Sequence, residues 1–134
     1  MSFKPYKNQN YNHIKYQHNS SYLFEDNEFP ANSYSLFRKK SPAGVNGYNI
    51  EWRRPHEICS SPQFSVGGFD PKDLYQGHVG NCWYIAGAVD IATKPKYLDI
   101  VVPKDQSFDY GYIGVFRFRF WQFGEWIEVV VDDR

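Results

Sequence analysis

"QGHVGNCWYIAGAVDIA", residues 76–92, runs a glycine-containing turn into an apolar stretch, with Cys82 at the junction. Asn81 is a favoured N-cap residue, which makes Cys82 the first helical position. Ile85, Ala86, Val89 and Ala92 fall at 3.6-type spacing and small residues fill much of the rest, so the stretch predicts a helix buried nearly all round. Gly87 inside it costs about 1 kcal/mol relative to alanine. Pro95 ends it near Thr93. A thiol at a helix start, kept reachable by a turn, has the setting of a reactive cysteine, because the positive end of the helix dipole favours a thiolate. A small buried hydrophobe accounts for the same position. Spacing alone leaves both readings open.

The rest of the composition narrows the class. The 134 residues are enough for one domain or part of a larger one, and 42% hydrophobic with 19% aromatic content is enough for a core. Fifteen basic residues balance fifteen acidic ones, which argues against a nucleic-acid or membrane-surface binder. No run approaches the ~20 apolar residues of a membrane span, and the start lacks an apolar signal-peptide core. Two cysteines fit a reducing compartment better than a disulfide framework. A cytoplasmic globular protein is expected.

Outward from the cysteine, the chain divides into a tail and a folded remainder. Residues 1–20 are rich in Asn, Lys, His and Tyr with almost no aliphatics, and read as a mobile polar tail. Residues 21–37 carry one short helix ending before Pro30. "RKKSPAGVNGYN", residues 38–49, is loop-like. "IEWRRPHEICSSPQFSVGGFDPKD", residues 50–73, has three prolines and a Gly-Gly pair, and is expected to be irregular around Trp52, Ile58 and Phe64. In "YIGVFRFRFWQ", residues 112–122, Val115, Arg117 and Arg119 alternate with Phe116, Phe118 and Phe120, the period of a half-buried strand. "FGE" then turns the chain into "WIEVVVDD", so the C-terminal third predicts a hairpin with aromatics inward and arginines outward.

For Cys82 to act as a nucleophile it needs an oxyanion donor and an oriented base. Gln76, six residues upstream, supplies a side-chain NH2, and the Cys82 backbone N–H a second donor. A base is harder to place. His13 and His18 lie in the tail, and His78, four residues before Cys82, is poorly placed for in-line proton transfer. Two rival readings use the same letters. His56, Cys59, His78 and Cys82 are zinc-ligand types in an unusual order. "FRFRFWQF" has the aromatic and arginine content of single-strand nucleic-acid binders, although the strand period explains it more simply.

"QGHVGNCWYIAG" closely resembles the Q-G-x-x-G-[DN]-C-W-[FLY] segment of the calpains, calcium-dependent cysteine proteases. "LFEDNEFPA" (23–31), "WRRPHEI" (52–58), "PQFSVGG" (62–68), "VVPKDQSF" (101–108) and "YIGVFRFRFWQFGEWIEVVVDDR" (112–134) resemble the same family in order. The resemblance implies an α+β fold, the N-terminal helical subdomain of a papain-like cysteine protease core. A central helix carries Cys82, and a β-hairpin closes residues 21–134. It implies that Cys82 is the nucleophile, Gln76 the oxyanion-hole glutamine and Trp83 the tryptophan packing in the site. It also implies a calcium site from the Val66 and Gly68 carbonyls and the Asp73 carboxylate, oxygen donors of the kind calcium takes.

The sequence also departs from the family pattern. Asn81 replaces the usual aspartate without loss of capping ability, and Gly87 and Asp90 interrupt the usual alanine-rich helix. The family's catalytic histidine and asparagine, and a further acidic calcium ligand, fall beyond residue 134, so the reading is of a core truncated before its second subdomain. The expected function is calcium-dependent endopeptidase action on intracellular proteins when the core is whole, with little activity from residues 1–134 alone. The expected partners are protein and peptide substrates, the rest of the core and an endogenous inhibitor. The alternative is an inactive calpain fragment with a binding or regulatory role, since a half-core leaves apolar surface uncovered.

Overall fold

The computed structural model describes residues 1–37, 50–77 and 80–134. Strand β1 (Lys4–Pro5) and a 3-10 turn (Tyr6–Asn8) lead into helix α1 (Tyr11–Gln17), followed by short helices α2 (Ser33–Leu36) and α3 (Pro55–Ile58). A 3-10 turn (Pro71–Asp73), helices α4 (Cys82–Ala92) and α5 (Pro95–Val101), and strands β2 (Val115–Gln122) and β3 (Glu125–Asp132) complete the chain.

The hairpin organises the rest. β2 and β3 pair antiparallel without a bulge from Val115↔Asp132 to Gln122↔Glu125. Phe123 (φ +49°) and Gly124 (φ +86°) make the two-residue turn, positive φ at both positions being what matches the strands' twist. β1 adds in parallel to the other side of β3, Lys4 opposite Ile127 and Pro5 opposite Glu128, giving the order β1-β3-β2.

The two-residue period places Val115, Arg117, Arg119 and Trp121 on one face and Phe116, Phe118 and Phe120 on the other. Contrary to the arginine-out expectation, the buried cluster lies on the arginine side: Tyr11, Ile14, Phe24, Ile113, Val115 and Val130. Arg117 is itself buried, its guanidinium 4.0 Å from the Tyr11 ring centroid, and Arg119 lies 3.7 Å from that of Phe3. Asp105 accepts two bonds from Arg117 at 2.7 and 2.8 Å, and Glu128 accepts from Arg119 at 3.0 Å. The Arg117 Nε sits 3.5 Å from Glu128 without hydrogen-bond geometry. Flat guanidinium groups stacked on rings and paired with carboxylates can be covered where bare charges cannot.

The cover comes from residues 1–20, so the expectation of a mobile tail there does not hold. Tyr11 and Ile14, three apart on α1, face the sheet and are buried. The Asn10 side chain caps α1 by accepting from the His13 N–H at 3.1 Å. The helix expected before Pro30 is also absent. Asp26 instead closes a turn, its Oδ1 accepting from the Glu28 and Phe29 N–H groups at 2.9 and 3.2 Å and from the Gln9 amide at 2.8 Å. α2 begins only after Pro30. The loop read at residues 38–49 lies outside the described residues.

On the phenylalanine face, Phe116 stacks on Phe64 with centroids 4.9 Å apart, and Phe108 lies at the same distance. α4 does not run buried all round as its composition suggests: none of its residues is fully buried, and Trp83 and Tyr84 are exposed. Among the described residues α4 meets chiefly α5 and the 71–73 turn, so much of its apolar surface borders a groove of about 710 Å³. α5 is a further element the sequence reading missed, as it missed α1 and α3. Pro95, which prevents α4 from continuing, also occupies the first turn of α5, where its missing N–H costs nothing.

Candidate active site

Asn81 precedes α4 as expected, but as a backbone cap only. Its carbonyl accepts from the Tyr84 and Ile85 N–H groups at 2.9 and 3.1 Å, while its side chain makes no cap bond and the buried Oδ1 has no partner among the described residues. Cys82 is the first residue of α4 and its thiol is free and exposed. The first N–H groups of a helix have no intrahelical acceptor, so the backbone at Cys82 offers donors beside the sulfur. Trp83 follows, 76% exposed, edge-on to Tyr84 with centroids 5.9 Å apart. Gln76 is exposed in the stretch between the 71–73 turn and α4.

The positions expected to hold calcium lie just upstream. Val66 and Gly68 sit in an exposed loop where Gly67 (φ +69°) and Gly68 (φ +99°) take left-handed conformations, which turn successive carbonyls out of an extended run. Asp73 closes the 71–73 turn, its Oδ2 accepting from the Asp70 N–H at 3.1 Å. Two carbonyls and one anchored carboxylate are the right chemistry for calcium, yet only part of its six- to eight-oxygen shell. Asp73 and Trp83 line the same groove, which links the turn to the first residues of α4.

Among the described residues, no hydrogen bond joins a histidine to Cys82. His18 Nδ1 is 2.9 Å from the Ile14 carbonyl and its ring stacks on Tyr22. His56 packs against Phe108 and Tyr112. His78 lies outside the described residues. No group of three or more His, Cys, Asp or Glu side chains assembles a metal site among the described residues; the zinc reading of His56, Cys59, His78 and Cys82 needs His78, which lies outside them.

One polar cluster was not anticipated. The Arg54 guanidinium pairs with the buried Asp133 carboxylate and donates to the Phe24 carbonyl at 2.8 Å, and the Tyr112 hydroxyl also donates to Asp133. Burial, then the bond to Asp133, raises the Tyr112 hydroxyl well above the ordinary tyrosine range. Its one sequence-level signal was the Asp132-Asp133 pair ending a strand. Successive side chains leave a strand on opposite sides, and Asp132 accordingly accepts from the Asp26 N–H at 2.9 Å while Asp133 serves Arg54. The cluster ties residues 24, 54, 112 and 133 together.

The match with known proteins sets the class: the model of the calpain family cysteine proteases covers residues 24–134. The chain belongs to the calpain family. Mouse calpain-8 is 49% identical over 117 residues, 87% of this chain and 17% of that protein. The rat calpain-2 catalytic subunit is 45% identical over 131 residues, 96% of this chain and 19% of that protein. The human calpain-2 catalytic subunit is 44% identical over the same length. The chain thus spans about a fifth of the length of these relatives. No described helix is long and apolar enough to cross a membrane.

Proposed function

We propose that this chain carries the nucleophile side of a calcium-dependent cysteine endopeptidase acting on intracellular proteins. The observation that carries the reading is the exposed Cys82 thiol opening α4 within the segment that matches the family. Cys82 Sγ attacks the scissile carbonyl carbon. The resulting oxyanion is held by the Gln76 side-chain NH2 and the Cys82 backbone N–H, donors that act most strongly where charge develops. Trp83 forms a wall beside the sulfur. The base that takes the thiol proton and returns it to the leaving amine comes from outside the described residues. Val66, Gly68 and Asp73 contribute oxygens to a calcium ion, which orders the loop and turn leading into α4.

Cys59 provides an internal control, because both thiols are exposed and free. Steric access does not separate them; only chemical activation does. Iodoacetamide labelling at pH 6.5, read by mass spectrometry of peptides, is expected to modify Cys82 at least about tenfold faster than Cys59. Equal rates refute the nucleophile assignment. Asp73→Asn is expected to weaken calcium binding, measured by calorimetry. An unchanged calcium isotherm removes Asp73 from the site. The 134-residue chain alone is expected to leave casein intact with or without calcium.

A further inference from the structure

The segment that leads into α1 lies on the sheet in two parts, which meet between Asn8 and Gln9. From Gln9 onward it is anchored: the Gln9 side-chain amide donates to the buried Asp26 carboxylate at 2.8 Å, Asn10 caps α1, and Tyr11 and Ile14 enter the core. Before that point no residue is buried, and only Phe3 and Pro5 are half-covered. β1 is two residues long, and Pro5 brings no N–H to its pairing with β3. Two ion pairs hold this part down, Lys4 to Glu125 at 3.3 Å and Lys7 to Glu28 at 2.8 Å, with all four side chains 44–66% exposed. Phe3 adds the ring stacked on Arg119 and an edge contact with Trp126. The join itself is strained. Lys7 (φ +49°) and Asn8 (φ +62°) are consecutive non-glycine residues in the left-handed region, where Cβ crowds the following carbonyl.

We propose that residues 1–8 form a latch over the outer edge of β3, which opens about Lys7–Asn8 while α1 stays docked, and that the two lysine–glutamate pairs set how far it is closed. The energetics divide where the burial does. Everything before Gln9 is held by exposed charge, one half-covered ring and a two-residue strand. Exposed ion pairs contribute little in water and weaken as salt rises. Against them stands the strain at the join, which opening relieves because extended backbone then becomes available at both positions. The stack of Tyr11 on Arg117 and the Asn10 cap lie beyond the hinge and do not depend on it. Closed, the latch covers the β3 edge at Ile127 and Glu128, and its proline makes β1 a poor template for a further strand. Opening uncovers that edge and the face of Arg119 without unfolding the core. The proposal does not depend on the reading of Cys82.

Arg119 and Arg117 report the two parts separately, because each stacks on a ring from one of them and a ring displaces the signals of groups over its face. The experiment is heteronuclear NMR of the arginine side chains in the 134-residue chain, with Phe3→Leu marking where the Arg119 signals fall without their ring. Raising sodium chloride from about 0.1 M to about 1 M shortens the screening length from about 10 Å to about 3 Å. The Arg119 signals are expected to move part of the way to the Phe3→Leu position while those of Arg117 stay. Lys7→Gln at low salt moves the Arg119 signals the same way, and Lys7→Arg, which keeps the charge, does not. Asn8→Pro excludes left-handed backbone at the hinge and carries the Arg119 signals the whole way. In that variant the Ile14 amide, bonded to the Asn10 carbonyl, stays protected from exchange. The salt series alters no residue, so it decides the question even where Asn8→Pro fails to fold. Four results overturn the proposal: Arg119 signals fixed both in salt and in Lys7→Gln, Arg117 signals moving in step with them, Arg119 already at the Phe3→Leu position in the parent chain at low salt, or loss of Ile14 protection in folded Asn8→Pro.

Discussion

Replacing Tyr11 with alanine tests whether residues 1–20 belong to the fold. A buried tyrosine ring removes some 150–200 Å² from water, which at about 25 cal/mol per Å² is about 4 kcal/mol. A partly compact unfolded state lowers this, and loss of the stack on the Arg117 guanidinium, 4.0 Å away, restores about 1 kcal/mol. Tyr11→Ala is therefore expected to cost about 4 kcal/mol, a fall of roughly 2–3 M in the urea midpoint at a slope of about 1.5 kcal/mol per M. Tryptophan fluorescence follows the transition, since Trp126 contacts Phe3 of the same segment. Ile14→Val, expected to cost about 1 kcal/mol, keeps the test readable if Tyr11→Ala unfolds the chain. Tyr16, on the opposite side of α1 and 92% exposed, is the control: Tyr16→Ala should move stability by less than about 0.5 kcal/mol. If all three variants unfold within about 0.5 kcal/mol of the parent, residues 1–20 are not packed as described and the core assignment fails.

The remaining predictions concern single sites. Arg54→Ala strands the buried Asp133 carboxylate and should cost about 3 kcal/mol by urea denaturation. Gly114→Ala should fail alongside it, because its Cβ would lie 2.5 Å from Arg54 Nη1 at a backbone φ of +75°. In a spectrophotometric titration at 295 nm, Tyr112 and Tyr11 should ionise last, and Tyr112→Phe should remove part of the late change. Their folded pKa values are raised, so the stability they add is whole below the unfolded value of about 10 and is lost as pH climbs above it. Phe123→Asn should stabilise the hairpin by about 0.5–1 kcal/mol in thermal unfolding, since Phe123 is 97% exposed and strained at φ +49°. Asn10→Ala should cost about 1 kcal/mol and Asn81→Ala nearly nothing, because only Asn10 makes its cap bond.

Local chemistry was legible wherever it depended on neighbours in sequence. The two-residue period and the Phe123-Gly124 turn define the hairpin, Pro95 ends α4, and Asn81 marks the start of the helix that presents Cys82. The ordered motifs around Gln76, Cys82 and Trp83 pointed to the calpain family before any coordinate did, and the match over residues 24–134 agrees. Helix boundaries near Pro30 were less legible, because the Asp26 side chain competes with the backbone for the N–H groups a helix would need.

Only tertiary structure decided which side of the hairpin is covered. From the pattern FRFRF, solvation of charge argues that arginines face water. Tyr11 and Phe3 come from more than a hundred residues away to stack on Arg117 and Arg119, and Asp105 and Glu128 balance the charge. No window of sequence contains that arrangement, so composition alone made residues 1–20 look unstructured. The Arg54–Asp133 pair, 79 residues apart, and the Gln106 amide on the β2 edge are hidden for the same reason. Sequence determines which side chains can satisfy one another; the fold determines which of them meet.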